Sequence, residues 1–121
     1  MNYVFLKVGS KHKRFLFSEI LYAEAFKNYV RIYTLDGLIT VHYTLKQIEA
    51  VLPTSLFCKI HKSFIVAVDK ITEFDCETIY IQKIQLPLSS RFSKKLKSSL
   101  NILDAKRGDA QVSIDNSFSE N

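Results

Sequence analysis

A chain of 121 residues, 47% hydrophobic and 24% charged, is long enough for one domain with its own core. It has no apolar run of about 18 residues to span a membrane, and MNYVFLKVGSK lacks the charged lead and cleavage site of a secretion signal. The charge is uneven, with 15 Lys+Arg against 8 Asp+Glu in residues 1–103 and 2 against 4 in residues 104–121. A basic body of this kind favours a polyanion, nucleic acid or anionic lipid, although a merely soluble basic domain has the same balance.

The first half reads as strands and turns. Tyr3–Val8 alternates as a strand, Gly9-Ser10-Lys11 turns it, and Arg14–Phe17 answers as its hairpin partner. Ile20–Phe26 and Tyr29–Leu35 follow, joined at Lys27-Asn28, where Asn tolerates the left-handed conformation of a tight turn. Asp36-Gly37 is the strongest hairpin signal, with Leu38–His42 returning from it. The period then changes. Leu45, Ile48, Val51 and Leu52 fall at helix spacing, Thr44 and Gln47 form a capping-box pattern, and Pro53 ends the helix.

Phe57–Ile60 running into Phe64–Val66, then Ile71–Asp75 and Thr78–Gln82, read as further strands, with a turn near Cys76-Glu77 and an edge piece at Gln85–Leu88. From Ser89 the apolar stripe Phe92, Leu96, Leu100 and Leu103 predicts a second helix. After Asp104 the pattern stops, so residues 1–103 form the expected domain and 104–121 a polar, disordered tail. The Arg107-Gly108-Asp109 tripeptide in that tail reads as chance.

Motifs for catalysis are missing. Gly9, Gly37 and Gly108 are too far apart for a nucleotide loop, and no HExxH, G-x-S-x-G or CxxC occurs. His12, His42 and His61 are scattered; a Cys58, His61 and His42 metal site lacks zinc spacing. Glu24, amid apolar neighbours in LYAEAF, reads as a carboxylate satisfied by backbone amides at a bend rather than a catalytic acid. Cys58 and Cys76, both inside strand-like segments, read as reduced, partly buried thiols of a cytoplasmic protein, with one disulfide between them as the alternative. No enzyme, cofactor or metal is expected.

Anion binding has three candidate places. In FKNYVRIY, Val30 and Ile32 alternate with Tyr29, Arg31 and Tyr33, giving one core face and one face of phenols around an arginine. An ordinary solvated sheet face has the same pattern. In KIHKSFIV, regular pairing puts Lys59 and His61 on one side, with Lys62 and Ser63 at the strand break. Such cations repel one another unless an anion relieves them. In PLSSRFSKKLK, Ser89 or Ser90 caps the helix and leaves Arg91 in its first turn. A cation there opposes the helix dipole by roughly 0.3–1 kcal/mol, yet suits a phosphate or a guanine edge.

Taken together, ILYAEAFKNYVRIYT, TLKQIEAVLP, FCKIHKSFIVAVDKI and IYIQKIQLPLSSRFSKKL, in this order and spacing, resemble the LytTR family of bacterial DNA-binding domains. The most specific parts are Tyr-x-Glu-Ala, Phe-x-x-x-His-x-Ser-Phe-x-Val and Pro-x-Ser-x-Arg, within a likeness running from about Tyr3 to Leu103. The resemblance implies a mainly β, elongated LytTR-type fold of about ten short strands in small stacked sheets, with one short mid-chain helix and one C-terminal helix. It implies cytoplasmic, sequence-specific double-stranded DNA binding for transcription regulation, at promoter direct repeats, with no membrane partner.

Carried over by position, contacts fall on Lys27, Asn28, Tyr29, Val30 and Arg31, on Lys62 and Ser63, and on Arg91 with Lys94 in the next turn. Some relatives have His where this chain has Val30, and Asn or Arg where it has Lys62, so their base code does not transfer. Lys62 suits phosphate, and Arg91 keeps the fork a guanine requires. The family context implies a two-component response regulator with a receiver domain and histidine kinase pathway, or a stand-alone regulator. It also allows a homodimer on DNA. The competing reading is a small β protein-interaction module whose basic edge binds an acidic partner.

Overall fold

The computed structural model describes residues 1–103. The expectations for 104–121, including Arg107-Gly108-Asp109, lie outside the described residues. Ten strands and two α-helices follow in chain order. They are β1 (Tyr3–Val8), β2 (Lys11–Leu16), β3 (Ile20–Phe26), β4 (Tyr29–Thr34), β5 (Gly37–Val41), α1 (Leu45–Val51), β6 (Phe57–His61), β7 (Phe64–Ala67), β8 (Glu73–Phe74), β9 (Thr78–Ile81), β10 (Ile84–Pro87) and α2 (Ser90–Ser98). All strand pairs are antiparallel. The central sheet has the order β5-β4-β3-β7-β6, flanked by the β1–β2 hairpin and the three-stranded β10-β9-β8 sheet.

Period-2 alternation in the central strands supplies two cores, one on each face. Ala23, Val30, Ile32 and Ile65 face Leu6, Phe15, Leu45 and Ile48 of the hairpin and α1. Tyr22, Cys58, Ile60 and Val66 face Ile79, Ile81, Leu86, Leu88 and Leu96 of the small sheet and α2. Neighbours Ile65 and Val66, 1% and 0% exposed, thus belong to opposite cores. The middle sheet is a shared wall. Among the described residues no helix is long and apolar enough to cross a membrane.

The capping box of α1 forms as expected: Gln47 N–H donates to Thr44 Oγ1 at 3.1 Å, and Thr44 N–H donates to Gln47 Oε1 at 2.9 Å. Other expectations need correction. KIHKSFIV is a hairpin of two strands rather than one, with Lys62-Ser63 as its turn. The β4–β5 turn is Leu35-Asp36, one residue earlier than expected, and Gly37 opens the next strand at φ +129°. Thr34 braces it, donating to Gly37 O at 2.9 Å and accepting from Asp36 N–H at 3.1 Å.

Helix α2 is shorter than the apolar stripe predicts. Ser98 Oγ donates to Lys95 O at 2.6 Å and Ser99 Oγ to the same carbonyl at 3.3 Å, serine back-bonds that compete with helix continuation. Leu103 is consequently 98% exposed instead of completing the stripe. Cys58 is buried, but Cys76 is exposed at the bend between β8 and β9 rather than inside a strand, and both are free thiols.

Candidate nucleic-acid interface

Strand β3 runs antiparallel to both β4 and β7, so the β3–β4 turn and the β6–β7 turn emerge at the same end of the central sheet. Ala25 N–H donates to Ser63 O at 2.8 Å and ties these two turns together. The start of α2 joins them, because Ser89 N–H donates to Ile60 O, also at 2.8 Å. Lys27 and Asn28, Lys62 and Ser63, and Arg91 therefore come from three segments fixed to one rim. That grouping is what separate sequence patches could only imply.

In the first turn Lys27, not Asn28, takes the left-handed conformation, at φ 56°. Such a backbone costs a residue with a Cβ about 1–2 kcal/mol. Its ammonium lies 5.4 Å from the centre of the Phe26 ring. Arg31 stands on the same ring at 3.5 Å, a close cation–π stack. Tyr29 packs beside them, 5.8 Å from Phe26 and 5.4 Å from His42.

Val30 does not belong to this surface. It is 0% exposed and points into the hairpin-side core, so its side chain cannot reach a ligand at the rim. The pleat that turns half-buried Tyr29 and Arg31 to the other face buries the residue between them. Val30 is therefore removed from the contact set.

Beyond Arg31 the same sheet face becomes a closed aromatic network. Tyr22 and Tyr33 stack at 4.3 Å with planes 12° apart, and Tyr33 Oη donates to Glu24 Oε1 at 3.3 Å. Glu24 is thus held by a phenol, not by backbone amides at a bend. Burial pushes the Tyr22 phenol up to about 12, with Tyr33 and Glu24 adding to the rise.

The second turn is shaped by His61. Ser63 N–H donates to His61 Nδ1 at 3.1 Å, and the imidazole meets the Phe64 ring edge-on at 5.7 Å. The bond requires an unprotonated Nδ1, leaving any ring proton on Nε2. His61 thus positions the turn, while Lys62 is exposed at its tip. Lys59 and His61 do not share a side as regular pairing would require. The register shifts between them, since Lys59 pairs with Ile65 and His61 with Phe64, leaving Ile60 as the extra residue of a bulge. Lys59 reaches instead to within 5.9 Å of the Phe92 ring centre on α2.

At the third segment Ser89 is the N-cap residue of α2, but its side chain makes no cap hydrogen bond. The first-turn amides stay free of a side-chain cap beside exposed Arg91, whose guanidinium carbon lies 5.2 Å from the Phe92 ring centre. Lys94 is exposed one turn on. Lys70–Asp69 is the only ion pair among the described residues, so every cation of the rim lacks a carboxylate partner there.

Metal and thiol chemistry find no comparable arrangement. Among the described residues no three His, Cys, Asp or Glu side chains converge, and the Cys58, His61 and His42 trio does not form. Burial raises the Cys58 thiol above its ordinary range, opposed by Lys95 and helped by Glu49.

Residues 10–101 match the family model of the LytTr DNA-binding domain. This chain belongs to the LytTR family. The family is a DNA-binding rather than an enzymatic one, and this chain carries its DNA-binding domain. The LytTR chain is 36% identical over 90 residues to the sensory transduction protein LytT of Bacillus subtilis (strain 168). That alignment covers 69% of this chain and 37% of LytT, so the chain spans well under half of that relative. The fold matches the LytTr DNA-binding domain of a Bacillus cereus protein designated a methyl-accepting/DNA response regulator. There the TM-score is 0.70 at 23% identity, over 84% of this chain and 99% of the other.

Proposed function

We propose that this LytTR domain reads double-stranded DNA with the rim formed by its β3–β4 turn, β6–β7 turn and α2 N-terminus. The observation that carries this reading is the pair of 2.8 Å backbone bonds, Ala25–Ser63 and Ser89–Ile60, which hold three basic segments together. Lys27, Lys62 and Lys94 act as point charges on phosphates, and Asn28, Tyr29 and Ser63 as hydrogen-bonding neighbours. Arg91 offers a bidentate fork to a guanine edge, and Arg31, oriented by Phe26, offers a second. None of this requires catalysis or a cofactor.

In the cell the domain is the output part of a cytoplasmic regulator, bound at promoter direct repeats and paired there with a second copy. A receiver answering a histidine kinase supplies its control when it is part of a longer protein. The test is competition at fixed salt. A duplex selected from a random pool should displace a labelled copy of itself far better than a scrambled duplex of equal length. Equal competition would support an acidic protein partner held by the same basic rim.

A further inference from the structure

The β1–β2 hairpin, like α2, is charged with one sign only. Residues 3–16 contain Lys7, Lys11, Lys13, Arg14 and His12 and no carboxylate. All five are exposed. The register polarises them along the hairpin. Lys13 and Arg14, toward the base, share a groove with Glu19 and Asp36, whereas Lys7 and Lys11 sit at the Gly9-Ser10 tip with no acid in the groove beside them. That second groove is lined by Lys7, Gly9, His42 and Tyr43.

The tip is fixed in place. Lys7 N–H donates to Tyr43 Oη at 2.9 Å, and Tyr43 packs against the hairpin-side core. His42 follows the end of β5, which pairs with the beginning of β4, and its ring lies 5.4 Å from that of Tyr29. The surface therefore runs from Lys27 and Tyr29 through His42 to Lys7, with Lys11 across the hairpin tip from Val8. Lys7 precedes residue 10, where the family match begins, so that match assigns β1 nothing.

We infer that the β1–β2 hairpin tip is a second polyanion-binding surface, in which Lys7 and Lys11 grip the DNA backbone flanking the segment read by the rim. This rests on the DNA reading above and extends its footprint. Two mobile ammonium groups on a strand pair, with no fork and no helix, match phosphates and carry no base information. An acidic protein segment would satisfy the same charges, but continuity with the rim places the tip beside the duplex already bound there.

The test uses the 121-residue chain and a fluorescent duplex selected by it from a random pool, titrated over a salt series. Lys7→Gln/Lys11→Gln should bind about 3- to 10-fold more weakly, with a log–log salt slope shallower by about 1–2. Its preference for selected over scrambled duplex should equal that of the parent. Lys70→Gln/Lys83→Gln removes the same charge from the far ends of β7 and the β9–β10 hairpin, and should change affinity less than about 2-fold. Equal behaviour of the two double variants overturns the inference while leaving the rim reading intact. Loss of binding to poly-glutamate with unchanged duplex binding also overturns it, by assigning the tip to an acidic protein. If the parent chain itself fails to prefer the selected duplex, the DNA reading falls first and this surface with it.

Discussion

The guanidinium carbon of Arg31 lies 3.5 Å above the ring of Phe26, although the residue directly opposite Arg31 on β3 is Glu24. Glu24 instead accepts from Tyr33 Oη, so the arginine is oriented by a hydrocarbon face and its N–H donors are not spent on a carboxylate. Phe26→Ala removes that platform. Cation–π contacts contribute about 0.5–2 kcal/mol, so duplex affinity should fall about 3- to 30-fold with the far-UV CD spectrum unchanged. Unaltered affinity in an anisotropy titration would show that Arg31 needs no platform.

Lys27 occupies a left-handed backbone at φ 56° that glycine adopts freely. Lys27→Gly should therefore stabilise the fold by about 0.5–1 kcal/mol in urea denaturation while weakening DNA binding. With one phosphate fewer neutralised, the salt slope should become shallower by about 0.9. A variant that is both more stable and equally tight would remove Lys27 from the interface.

Arg91 and Lys62 should fail differently. Arg91→Ala loses a bidentate donor and should relax preference at one base position by about 1–3 kcal/mol. Lys62→Ala should lower affinity for selected and scrambled duplexes by the same factor and reduce the salt slope by about 1. Repeating duplex selection with each variant distinguishes them. An unchanged consensus with Arg91→Ala contradicts the guanine assignment.

The Tyr22 phenol ionises in the folded chain at about 12 rather than at its ordinary 10.0. Below pH 10 both folded and unfolded phenols are protonated and the stabilisation is complete. Between about 10 and 12 the unfolded chain ionises first, so folded stability falls as pH rises through that window. Urea midpoints taken at about pH 9 and about pH 11 should drop more for the parent than for Tyr22→Phe. Parallel drops would place the alkaline loss on another group.

Much of the fold is legible in particular residues. Alternation in YVRIYT predicts Val30 and Ile32 inward with Tyr29 and Arg31 outward, and Thr44 with Gln47 predicts a cap that forms atom for atom. The same alternation argues against Val30 as a contact, a role that rests only on transferring relatives' positions. Other features depend on tertiary partners. Nothing in KIHKS marks Ile60 as a bulge, because a register shift is decided jointly by β6, β7 and α2. The hairpin tip escapes a linear reading for a similar reason: its lysines join the rim only through Tyr43 and His42, distant in sequence. The signal that could have found it is the acid-free run of cations in residues 3–16.

The extra residue at Ile60 also bears on how this surface could be controlled. β6 is the edge strand of the central sheet, and the Ile60 carbonyl at its bulge accepts from the N–H of Ser89, the N-cap residue of α2, at 2.8 Å. Sheet and helix are thereby joined by a backbone bond close to Lys62, in addition to the packing of Leu96 on Cys58 and Ile60. Any partner that tilts α2 must drag the β6–β7 tip with it or break that bond. That bond makes the contact loop a mechanical follower of the C-terminal helix.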